Sequence, residues 1–219
     1  MRQAFQYCFW AVGLWLNVLV VSAMRRGFYR QYPFAFAYAL ALLLSTTIEI
    51  AASALPRDVQ HTYYWVDEVV LDILVFCVVI AFIDRAAAEA KRNPIERHWL
   101  VIGAALICGT SFLLRQDTPG GPNRRMTLVS RDLNICAVIL DLILWSLLLA
   151  SRRPDRRLLL LSGGLGVQLT GAILGQSVRG LSRSGVIPGT LIEVTTGLLA
   201  LYVWWRAFRP GRVPRDSQA

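Results

Sequence analysis

Seven apolar stretches divide this chain, at about 4–24, 34–55, 63–83, 98–114, 130–150, 157–178 and 187–208. An α-helix rises about 1.5 Å per residue, so about 20 residues cross the ~30 Å hydrocarbon layer of a bilayer. The stretch at 98–114 is the shortest. Lipid offers no water to satisfy backbone N–H and C=O groups, and a helix satisfies them within the segment itself. The connections are short, leaving no room for a soluble domain. The sequence therefore predicts an all-α, polytopic membrane protein. Its expected form is one seven-helix transmembrane bundle over residues 1–210, with a short cytoplasmic tail at 211–219.

Charge gives the orientation. The chain is 55% hydrophobic and only 17% charged, yet its formal net charge is +9. Its basic residues lie in clusters between the apolar stretches, which is how membrane topology is written; a nucleic-acid partner is not expected. The first loop, the 84–97 loop, the 151–157 loop and the tail from Arg206 hold 15 of them, and the opposite side holds 8. Positive residues favour the cytoplasm, so the expected orientation is N-outside, C-inside. The first stretch is read as a retained helix. A cleaved signal peptide carries its charge in front, whereas Arg25, Arg26 and Arg30 follow this stretch and Arg2 alone precedes it. The basic set is 22 arginines and one lysine, a bias of GC-rich codons that points to a bacterial inner membrane.

Finer features add to this plan. Tyr63, Tyr64 and Trp65 are expected to form an outer aromatic belt, and Trp204 with Trp205 an inner one. Pro and Gly mark 115–129 as an irregular loop. All nine prolines fall in loops or at segment ends, so no helix interior carries the break that exposes backbone in many transporters. Within the sixth stretch Gly164, Gly171 and Gly175 share a face, and the GxxxG of the last two lets helices approach closely. That face is read as packing within the bundle ahead of a dimer interface. The four cysteines, Cys8, Cys77, Cys108 and Cys136, lack metal-ligand spacing. His61 and His98 lie on different segments, which argues against haem.

The acids carry the functional content. A charge at the bilayer centre costs at least ~2.5–3.5 kcal/mol, so it turns toward the bundle interior. Glu49, Glu68, Asp72, Asp141 and Glu193 all fall at mid-depth or in the outer half, with Asn17, Asn134 and Gln168 as uncharged companions. Glu68 and Asp72 are four apart and share a helix face, while Asp67 points about 100° away from Glu68 and suits the interface. Single stripes join Arg131, Asn134, Val138, Asp141 and Trp145; Tyr38, Ser45 and Glu49; and Thr190, Glu193, Gly197 and Trp204. Three roles are open to this set. The acids pair with Arg131, Arg115 and Arg179 and fix helix register; they line an outward-open pocket for a polar or cationic ligand; or Asp72 and Asp141 relay protons.

Seven helices with the N-terminus outside, an acid on the third and the stretch Glu193-Val194-Thr195-Thr196-Gly197 resemble the plan of microbial rhodopsins. That family's retinal lysine would fall at Gly197. The only lysine, Lys91, lies in a loop, so a retinal Schiff base within the membrane is excluded. No GxSxG, HExxH or phosphate-loop pattern points to an enzyme. The expectation is a receptor- or sensor-like protein binding a small ligand through the buried acids, signalling through a cytoplasmic or membrane protein partner. A proton-coupled transporter and a non-catalytic accessory subunit are the alternatives. No catalytic residue, metal site or cofactor is expected.

Overall fold

The computed structural model describes residues 2–52, 57–89, 102, 106, 110, 121–150, 155–181 and 185–209. Among them are six helices: α1 (Arg2–Arg25), α2 (Pro33–Ala52), α3 (Arg57–Glu89), α4 (Gly121–Ala150), α5 (Arg156–Leu181) and α6 (Val186–Phe208). The fourth apolar stretch, 98–114, lies outside the described residues except for Ile102, Leu106 and Thr110, which are helical and exposed. Helix α4 is thus the fifth apolar stretch and α6 the seventh. Among the described residues, four helices are long and apolar enough to cross a membrane: α1, α2, α5 and α6.

Two helices outrun their apolar stretches. At 33 residues α3 is about 50 Å long, well beyond a hydrocarbon layer. Helix α4 begins at Gly121, so residues 121–129 are helical where an irregular loop was expected. Pro122 sits in its first turn, where a missing N–H costs no hydrogen bond. Pro33 opens α2 by the same logic. Between α1 and α2 the chain turns at Gly27, whose φ of 127° lies in the left-handed region that side chains disfavour.

Each helix packs on its neighbours in chain order, and α6 returns to α1, so the six close a ring. Their directions follow from the contacts. Ser45 bonds Asp67 and Tyr32 meets Phe82, so α2 and α3 are antiparallel. Asp141 lies beside Gly166 and Trp145 faces Gly163, so α4 and α5 are antiparallel. Tyr32 bonds Asp155 while Tyr38 bonds Gln168, so α2 and α5 run parallel. Hence α3 and α4 run in the same direction, and the end of α3 and the start of α4 lie at opposite ends of the ring.

Much of the outer surface is as apolar as the core, and a few polar side chains lie inside. On α4, Asn134 and Asp141 are buried, whereas Ile135, Ile139, Leu142, Ile143 and Leu149 are exposed. On α1, Asn17 is buried and Trp15 is 67% exposed. Apolar surface of this extent needs an apolar solvent or a partner. Lipid fits, and with four spans of sufficient length the chain is consistent with a multi-pass membrane protein.

One end of the ring is closed by an arginine and aromatic cluster. Tyr32 donates to Asp155 (3.1 Å), Arg85 lies 4.3 Å over the Tyr32 ring, and Phe208 packs against both Phe28 and Tyr32. Asp155 also accepts from the Arg157 amide, capping the start of α5. This cluster ties α2, α3, α5 and α6 together beside Arg25, Arg26, Arg156, Arg206 and Arg209.

The tightest seam is α5 against α6. A Cβ at Gly171 would overlap the Thr196 side chain, and one at Gly175 would come within 2.7 Å of the Gly189 carbonyl oxygen. Gly164 lies against the Trp204 indole. All three glycines thus face α6, within the chain. Gly171→Leu should lower stability by about 1–3 kcal/mol, the usual cost of overpacking, and thermal unfolding in detergent would measure it.

Candidate functional site

Tyr38 lies at the centre of the ring. It is almost wholly buried, its ring meets Trp204 edge-on at 5.8 Å between centroids, and its hydroxyl accepts from Gln168 Nε2 at 2.5 Å. The side chain thereby joins α2 to α5 and α6. Trp204, in turn, donates from Nε1 to the Leu161 carbonyl at 2.9 Å. Trp204 is therefore an interior residue, not part of the expected aromatic belt. The Gly164 position on α5 leaves room for its indole. Trp205, half-buried, carries the Arg209 guanidinium over its ring at 5.1 Å.

Polar pairs cross the ring on either side of Tyr38. Asn134 Nδ2 donates to Asp72 Oδ1 at 3.3 Å, joining α4 to α3. Asp72 is also within electrostatic reach of Tyr38. Asp141, 3% exposed, accepts from Ser162 Oγ at 3.0 Å. Its other oxygen sits beside Gly166, where a Cβ would come within 2.5 Å. Ser45 donates to Asp67 at 2.5 Å, which draws Asp67 into the α2–α3 contact. Glu193 pairs with Arg179 at 2.6 Å, with both side chains about one-third exposed.

Some residues singled out from the sequence are brought together and others are not. Asp72 meets Asn134, Gln168 meets Tyr38, and Glu193 meets Arg179. Asp141 meets Ser162, and none of the described arginines pairs with it. Glu49 is half-buried on α2. The Glu68 and Arg131 side chains and the whole of Arg115 lie outside the described residues, as do the side chains of Tyr63, Tyr64 and Trp65.

Ser162 carried no sequence signal. Hydroxyls in apolar helices commonly bond the carbonyl four residues back, as Thr46, Thr47, Ser146, Ser177, Thr190 and Thr196 do. Ser45 and Ser162 instead reach across to another helix.

Packing within the ring is graded. Near the arginine cluster the inward positions are buried, as at Met24, Ala35, Phe82, Leu158 and Phe208. Toward the other end the corresponding positions are half-buried, as at Gly13, Ser45, Glu49, Asp67, Glu193 and Gly197. At that opposite end the α5–α6 seam stays buried at Gly175, Gly185 and Gly189, while the inward positions Gly13, Ser45, Glu49 and Asp67 on α1, α2 and α3 are half-buried.

Comparison of the chain with known protein families, curated proteins and solved structures finds no match.

The Tyr38 contact is directly testable. Tyr38→Phe leaves the Gln168 amide facing an apolar edge, and pairing it with Gln168→Leu should recover part of the loss. Cross-helix hydrogen bonds in membranes average ~0.6 kcal/mol with a maximum near 1.7, so a double-mutant cycle by thermal unfolding should return a coupling in that range.

Proposed function

We propose that this protein is a seven-helix receptor or sensor of a bacterial inner membrane, N-terminus outside and C-terminus inside. It binds a small polar or cationic ligand in a crevice open to the outer face. The observation that carries the reading is Asp141: a buried carboxyl on the inward face, held by one neutral hydroxyl. A buried charge is costly unless paired, and a cationic group of a ligand supplies what Ser162 does not. Asp72, Asn134, Gln168, Glu49, Glu68 and Glu193 complete the set expected around the ligand.

The parallel run of α3 and α4 supports seven crossings, because the chain between them has to return through the bilayer once more, as expected at 98–114. Orientation is supported by the gathering of Arg25, Arg26, Arg85, Arg156, Arg206 and Arg209 at one end. The same basic end suits a cytoplasmic or membrane protein partner that receives the signal.

The proton-coupled transporter is the second reading. It draws on Asp72 and Asp141 as proton carriers; Asn134, to which Asp72 is bonded, lies seven residues, or about 10 Å, from Asp141 on one stripe. An accessory subunit docking through the glycine face of α5 would have to compete with α6 for it.

A panel of amines, polyamines and quaternary ammonium compounds, tested for thermal stabilisation of the protein in nanodiscs, separates these roles. A ligand present at 100 times its Kd should stabilise by about 2.7 kcal/mol, and Asp141→Asn should weaken that binding at least tenfold. Uptake into proteoliposomes that collapses with the proton gradient would favour transport. Unchanged stabilisation in both Asp141→Asn and Asp72→Asn would rule the acids out of the site.

A further inference from the structure

Helices α1 and α6 adjoin and run the same way. A Cβ at Gly13 would lie 3.7 Å from Leu198, and further along Phe28 packs on Phe208 with 5.5 Å between ring centroids. Arginines stand at both helix ends. Arg25 closes α1 and Arg26 follows it; Arg206 lies in the last turn of α6 and Arg209 just past it. The Phe28 N–H bonds the Met24 carbonyl at 2.9 Å, so Arg25 and Arg26 lie within the turn that carries the Phe28 ring. Arg209 directly follows Phe208. The four arginines therefore gather at one corner of the basic end.

All four are exposed, and none forms an ion pair among the described residues. The acids with described side chains at this end, Asp84 and Asp155, lie on α3 and at the start of α5. Asp155 is already engaged by the Tyr32 hydroxyl and the Arg157 amide. The Arg209 guanidinium lies 5.1 Å over the Trp205 ring. Stacking occupies the face of a guanidinium and leaves its in-plane N–H donors for an oxyanion, a geometry that suits phosphate. Helix C-termini attract cations, which accounts for positive charge here but leaves those donors unfilled.

The same arginines continue apolar outer stripes. On α1, Trp15, Val18, Ser22 and Arg25 recur at helical spacing and are all exposed; on α6, Leu199, Tyr202 and Arg206 do the same. Tyr202 also packs on Trp205, with ring centroids 5.9 Å apart. An occupant of this corner has to offer an anion at the stripe ends and hydrocarbon along the stripes. A phospholipid has both, whereas an acidic soluble peptide has the anion alone. We propose that Arg25, Arg26, Arg206 and Arg209 bind the headgroup phosphate of an anionic phospholipid, whose acyl chains lie along the exposed faces of α1 and α6. This seat is separate from the buried acids and does not depend on the ligand-binding reading.

The test uses the full chain in dodecyl maltoside, with phosphatidylglycerol titrated in and the Tm recorded. Phosphatidylglycerol should raise the Tm saturably, and phosphatidylcholine should not. A basic residue beside anionic lipid is worth about fivefold in affinity, so Arg206→Gln with Arg209→Gln should weaken the apparent Kd at least tenfold, as should Arg25→Gln with Arg26→Gln. Arg30 stands at the same end but over Tyr29, which packs toward α2 on Phe36; Arg30→Gln should leave the Kd within about twofold, below the single-residue effect at the corner. Should a double variant not fold, Arg206→Gln and Arg209→Gln singly serve, each with a loss of about fivefold. No stabilisation by phosphatidylglycerol, equal stabilisation by phosphatidylcholine, or a Kd that Arg30→Gln weakens as much as a corner variant overturns the proposal. Stabilisation by glycerol 3-phosphate or by a hexaglutamate peptide equal to that by phosphatidylglycerol overturns it too, and assigns the corner to a free phosphate or to an acidic protein.

Discussion

Hydrocarbon cannot hydrogen-bond, and this constraint organises the protein. A hydroxyl, amide or carboxyl within the apolar segments gains by finding its partner inside the chain. Most hydroxyls do so locally, by returning to the carbonyl one turn back. Among the described hydroxyls, those of Ser45, Ser162 and Tyr38 instead each join two helices. Glycine supplies the remaining ingredient. Between α5 and α6 it brings backbones close enough for dispersion and short polar contacts to replace the hydrophobic effect, which has no purchase between helices already in oil.

Tyr38 shows how these contacts combine. Its ring packs on Trp204 and its hydroxyl takes the Gln168 amide, so a single side chain coordinates three helices. Trp204 fits there only because Gly164 leaves room and the Leu161 carbonyl accepts its N–H. Below this level the described ring is packed with aliphatic and aromatic residues and locked by the Tyr32, Arg85 and Asp155 cluster. Above it the inward faces loosen.

Much of the helical plan was legible in the sequence because burial in lipid writes long apolar runs. The ends of α3 and α4 were less legible, since helices continue past the hydrocarbon wherever polar residues still suit helical geometry. Pro122 reads as a loop signal until its place in a first turn is known. Asp72, Asp141, Asn134 and Gln168 stood out because polar residues are costly at that depth. Their partners did not. Ser162 looks like any helical serine, and Trp204 looks like an interfacial tryptophan, because what decides each case is the neighbouring helix.

The closure of α6 onto α1 also bears on assembly. These two helices are neighbours in space and nearly two hundred residues apart along the chain. Contacts of such sequence separation form late. Until α6 is inserted, α1 has an uncovered flank, and the polar atom of Asn17 on its inward face lacks the full enclosure of the ring. The early helices therefore form an open arc until the contact of α6 with α1 can be made. A chain lacking α6 would leave uncovered both the flank of α1 and the glycine face of α5 that α6 packs against.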